Sequence, residues 1–118
     1  MAYVDSFVVP VPLKNLAAYK KMARKIAKCW IKCGALEYHE CVADDVKPGK
    51  VTSFPQAVNL KKGETIVFAW AVYDSRKHRD SVMAKFMKDP IMANMNPKEM
   101  PFDGMRMFWG GFKPFINL

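Results

Sequence analysis

An α+β fold with a repeated split βαβ unit follows from three features of the sequence. One stretch is apolar on both strand faces, one long helical segment is basic along a single face, and the order strand, helix, strand occurs twice. The two-faced stretch is TIVFAWAVY, Thr65–Tyr73. Ile66, Phe68, Trp70 and Val72 point one way along it, and Val67, Ala69, Ala71 and Tyr73 the other. A strand apolar on both faces belongs inside a sheet that is covered twice.

The chain has 118 residues, 51% of them apolar. That is one domain, 1–118, with enough apolar material for a core. No apolar run approaches the ~18 residues of a membrane span. The start, MAYVDSFVVP, lacks the basic, apolar, small order of a secretory leader, so a cytoplasmic protein is expected. Cys29, Cys33 and Cys41 are an odd set, too sparse for a disulfide scaffold, and are expected to be free thiols.

Taken in order, Tyr3–Pro10 alternates as a first strand, which Pro10 and Pro12 are expected to break. A helix should run from near Leu13 to near Gly34, a natural residue for the position after a helix end. Its apolar arc is Leu16, Tyr19, Ala23, Ile26 and Trp30. Opposite lie Lys14, Lys20, Lys21, Arg24, Lys25, Lys28 and Lys32, with no acidic residue among them. From Ala35 the run ALEYHECVA alternates again, setting Leu36, Tyr38, Glu40 and Val42 against Glu37, His39 and Cys41. Val51–Leu60 is β-prone, but Pro55 confines it to an edge strand or a bulge. After the central strand, Asp74-Ser75 should cap a second helix with Val82, Met83, Phe86 and Met87 inward. Asp89-Pro90 stops it. Ile91–Gly104, rich in Met, Pro and Asn, is expected to be irregular, with at most a short helical turn after Pro97. Met105–Leu118 should supply a last strand, with Gly110-Gly111 as a bulge or a close backbone approach.

This order predicts the ferredoxin-like plan, a four-stranded antiparallel sheet with both helices on one face. Two helices cover one side only, yet the strands carry aromatics on both. A second copy packed sheet to sheet is the simplest cover, so a homodimer through the open sheet face is expected.

The blocks YVDSFVVPVP, KCGALEYHECVADDVKPGKVTSFPQAV, SRKHRDSVMAKFMKDP and MPFDGMRMFWGGF resemble, in order and spacing, the YbaA-like family of small bacterial proteins, also called domain of unknown function 1428. The resemblance spans nearly the whole chain. It implies a dimeric α/β barrel, a superfamily that includes cofactor-free monooxygenases of aromatic substrates, isomerases and haem-handling enzymes. It therefore permits an enzyme without naming one.

Among single residues, Arg79 falls within the apolar arc of the second helix. A buried guanidinium needs a carboxylate, and Asp5, Glu37 or Glu40 could supply it; an anionic ligand is the other candidate. His78 flanks that arc, near Asp74 and Ser75. The aromatics Tyr38, Trp70, Tyr73, Phe108 and Trp109 are candidates to line a cleft between sheet and helices. Arg79, His78, Glu37, Tyr38 and Trp70 together form the candidate ligand-binding constellation, for a small anionic or aromatic molecule.

The cysteines and His39 match no paired zinc-knuckle spacing, so no metal is expected of them. No cofactor motif is present. Glycine-rich phosphate loops, H-E-x-x-H and G-x-S-x-G are all missing from the sequence, which disfavours nucleotide hydrolysis, zincin and serine-hydrolase chemistry. The alternative class is a nucleic-acid-binding module. It would use the basic first helix of a chain carrying a formal charge of +8. Against it, the central strand opens Glu64-Thr65-Ile66 and lacks the basic, glycine, aromatic start of an RNA-recognition strand.

Overall fold

The computed structural model describes residues 2–118. Its elements, in order, are β1 (Tyr3–Pro12), α1 (Leu16–Lys32), β2 (Glu37–Val42), α2 (Phe54–Ala57), β3 (Glu64–Tyr73), α3 (Arg76–Met87), α4 (Pro90–Ala93) and β4 (Phe108–Phe112). The four strands form one antiparallel sheet in the order β2-β3-β1-β4. This is the ferredoxin-like arrangement. The two longest strands lie at its centre, and β2 and β4 form its edges.

Register fixes what each face carries. Asp5 lies opposite Ala71 and Gly111, Phe7 opposite Ala69 and Trp109, and Tyr38 opposite Ala71. Those residues therefore share one face, and α1 and α3 pack against it. Val9, Val11 and Val67 meet Tyr19 and Ala23 of α1, while Tyr3, Ala71 and Tyr73 meet Cys29, Val82 and Phe86. The opposite face carries Val4, Val72 and Phe112, then Ser6, Trp70 and His39. One end of that face is closed by the β2–β3 connection, where Val58, Val46 and Leu60 pack on Val8 and Ile66.

Four local expectations change. β1 continues through both prolines, with Pro10 opposite Ile66 and Pro12 opposite Glu64. β4 reaches only as far as Val8, so beyond it β1 has a free edge on which a missing N–H leaves no gap. The expected edge strand at 51–60 is instead the short helix α2. Ser53 caps it by accepting from the Gln56 N–H, and Pro55 sits in the first turn, where no N–H is required. The last strand spans only Phe108–Phe112, and 113–118 form none. The segment after α3 is largely irregular as expected, but it begins with α4, capped by Asp89.

The two glycines of β4 keep an unbroken register with Ser6 and Asp5, so there is no bulge. A Cβ at Gly111 would stand 2.2 Å from the Tyr3 hydroxyl, so a close approach is what requires glycine there. α1 ends as its sequence indicated. Gly34, at φ +118°, turns the chain toward β2.

Candidate functional site

Between the helix-bearing sheet face and α1, α3 and the 92–107 segment lies a cleft of about 360 Å³. Phe7, Tyr38, Ala71 and Trp109 form its floor. Met22, Ile26 and Trp30 of α1 make one wall and Met83 and Phe86 of α3 the other. Met92, Met95, Met100 and Met107 close it from above. Thioethers on unbranched chains adapt to the shape of what they contact, so this roof can accommodate more than one ligand outline.

Polar groups enter the cleft at two places. At the first, the Tyr19 hydroxyl donates to Glu40 Oε1 at 2.5 Å, and the Tyr38 hydroxyl donates to Oε2 at 2.8 Å. Burial, and then the Glu40 carboxylate, raise both phenols above their ordinary range, so they stay protonated as donors. Glu40 makes no ion pair among the described residues. A carboxylate has about four acceptor directions, and two are taken. Glu40 also faces a second groove of about 290 Å³ between α1 and β2, whose rim carries Lys20 and Arg24.

The second polar group is already complete. Arg79 Nη1 donates to Asp5 Oδ1 at 2.6 Å, and its Nε donates to Asp80 at 2.8 Å. The Tyr73 hydroxyl donates to Asp5 Oδ2 at 2.9 Å and accepts from the Trp30 indole N–H at 2.7 Å. The Arg79 guanidinium also lies over the Tyr3 ring, 5.1 Å from its centroid. Each charge here has its partner, so the network holds α3 and α1 to the sheet.

The five residues of the candidate constellation do not share one surface. Tyr38 lines the cleft. Arg79 lies behind it, bound to Asp5. His78 accepts from the Asp74 N–H at 3.0 Å through Nδ1 and sets its ring edge-on to Tyr73, outside the cleft. Glu37 and Trp70 are on the opposite sheet face, where His39 bonds Glu37 at 3.0 Å and stacks on Trp70 at 4.6 Å. Of the aromatic set, Tyr73 and Trp109 join Tyr38 at the cleft, whereas Phe108 lies with Trp70. The residue pair missing from that constellation is Tyr19 with Glu40. Both were on inward-facing arcs by period alone, Tyr19 on α1 and Glu40 two positions from Tyr38.

His39 and Cys41 share the open face, away from the other two cysteines. Burial, with Asp89 and Cys33 beside it, pushes the Cys29 thiol up to about 11. Cys29 is thus a protonated thiol at neutral pH and not a primed nucleophile.

Comparison with known proteins gives a consistent result. Residues 2–104 match the model of the family described as protein of unknown function (DUF1428). The chain is 46% identical over 117 residues to the uncharacterized protein YbaA of Escherichia coli strain K12, covering 99% of each, and equally so to that of Shigella flexneri. Among solved structures it is similar to Rv0793 from Mycobacterium tuberculosis. That likeness has a TM-score of 0.54 and 10% identity and covers 99% of this chain and 98% of that one, which is a likeness of fold.

Proposed function

The chain belongs to the DUF1428 family of proteins of unknown function, and we propose that it binds a small, largely apolar, planar molecule in the cleft between sheet and helices. The observation that carries this reading is Glu40. A carboxylate is placed at the edge of an apolar cavity, fixed by two tyrosines and left with acceptor capacity. A ligand that presents a hydroxyl or N–H to it completes the site. Of the two ligand classes that the sequence suggests, the aromatic one is favoured over the anionic one. Arg79 is committed to Asp5 and Asp80, and the charge left facing the cleft is negative.

Three matched probes test the reading by thermal shift: 2-naphthol, 2-methoxynaphthalene and 2-naphthoate. 2-Naphthol should stabilise the protein most, the methyl ether less for want of a donor, and the carboxylate least, because it meets Glu40 in a poorly solvated place. Glu40→Gln should erase that ranking. Equal stabilisation by all three in the native protein would remove Glu40 from ligand recognition.

We further propose that two chains associate through the open sheet face. Phe68, Phe108 and Phe112 are 37%, 47% and 60% exposed there, beside Trp70 and Val72. In a chain with 19 basic residues, none of the strand positions on this face is Lys or Arg. Two copies can therefore meet here without bringing lysines or arginines together, Glu37 being bonded to His39 and Glu64 to Arg106, and a stable contact needs about 800 Å² from each.

A further inference from the structure

At the far end of α1, two thiols and a carboxylate come together in a place the cleft does not use. Cys33 caps the end of α1 one helical turn after Cys29, so both side chains leave the same side, and both are buried. The turn between α3 and α4 brings Asp89 against them, and the two Sγ atoms and a carboxylate oxygen lie within 4.8 Å of one another. We propose that Cys29, Cys33 and Asp89 form a binding site for one thiophilic divalent cation of the zinc class, with a fourth position open to water.

The spacing favours an ion over a disulfide. Residues four apart on a helix have Cβ atoms about 5–6 Å apart, whereas a disulfide needs about 3.5–4.5 Å. Closing that bond would unwind the last turn of α1. Two sulfurs held about 2.3 Å from one tetrahedral ion are about 3.8 Å apart. That spacing falls within the 4.8 Å over which the ligand atoms are already gathered. The donor set points the same way, since two sulfurs and one oxygen suit a borderline-soft ion, while calcium and magnesium require mostly oxygen.

Asp89 is also held in position. Its Oδ1 accepts from the Ile91 N–H at the start of α4. Its Oδ2 pairs at 2.7 Å with Lys32, a side chain 67% exposed that can turn into solvent. The ion brings the charge that displaces the thiol protons. This inference is independent of any ligand in the cleft.

The test is titration of the reduced protein with Co²⁺, followed by Zn²⁺. One Co²⁺ per chain should bind with an intense near-ultraviolet thiolate-to-cobalt band, and Zn²⁺ should abolish it by displacement. Cys41→Ser, which removes the exposed thiol outside the cluster, should give the same spectrum and stoichiometry. Cys29→Ser and Cys33→Ser should lose the band. Asp89→Asn keeps a competent helix cap and so preserves the circular dichroism of the native protein, while binding should weaken about tenfold. A folded, reduced protein that shows no such band overturns the proposal. So does a band that depends on Cys41, or unchanged affinity in Asp89→Asn.

Discussion

Arg79 on α3 donates to Asp5 on β1 at 2.6 Å, with both side chains less than a tenth exposed. The residues are 74 positions apart in sequence, so this bond ties α3 to β1. Removing one member leaves the other charged and buried. Arg79→Ala should therefore lose about 3–5 kcal/mol of stability in urea unfolding. Asp5→Asn should cost less, since an amide oxygen still accepts. A loss below about 1 kcal/mol would mean that Arg79 is not a structural tie.

The tyrosines give an alkaline signature. Tyr19, Tyr38 and Tyr73 are raised, chiefly by burial, above the ordinary value near 10 that they regain on unfolding. In that window the folded chain holds more phenolic protons than the unfolded one. Stability is thus intact below about pH 10 and falls as pH rises beyond it. Spectrophotometric titration should show native tyrosinate absorbance lagging well behind a urea-unfolded reference. Coincident curves would contradict the two-phenol arrangement at Glu40.

An acid signature comes from Glu64. Arg106 donates to it at 2.5 and 3.0 Å and reaches the Val58 and Asn59 carbonyls. The Arg106 hydrogen bonds hold the Glu64 carboxyl below the usual range. A lowered folded value means that stability is present above the unfolded pKa and is lost as pH falls through the folded one. Urea midpoints measured across the acid range should fall more gently in Arg106→Gln than in the native protein. Identical slopes would show that this pair does not shape the acid limb.

Association through the open sheet face is tested by light scattering. The native protein should have twice the 13.5 kDa chain mass. Trp70→Glu should shift it toward single chains, because association would then bury a carboxylate in an apolar contact. A native protein that stays a single chain at micromolar concentration would contradict the contact.

Much of the fold was legible because it rests on period. Alternation marked β1, β2 and β3, and the one-sided charge of α1 together with Gly34 marked that helix and its end. The 51–60 segment departs from its strand-like sequence because residues such as Val51 and Thr52 favour strands, whereas Ser53 and Pro55 act as a helix start only once the chain turns there. The cleft was harder to read. Trp70 and Tyr38 look alike as strand aromatics, and only the pairing of His39 with Trp70 puts them on opposite faces. Its roof, Met92 to Met107, has no period at all and is placed by tertiary packing.

Binding in the cleft is tested most directly by methyl spectra of methionine-labelled protein titrated with 2-naphthol. Seven methionines line the cavity, while Met105 is exposed and apart from it. The methyl signals of Met22, Met83, Met92 and Met95 should shift in a saturable way while that of Met105 stays still, and Glu40→Gln should weaken the effect. Cleft signals that do not move while Met105 responds would contradict it.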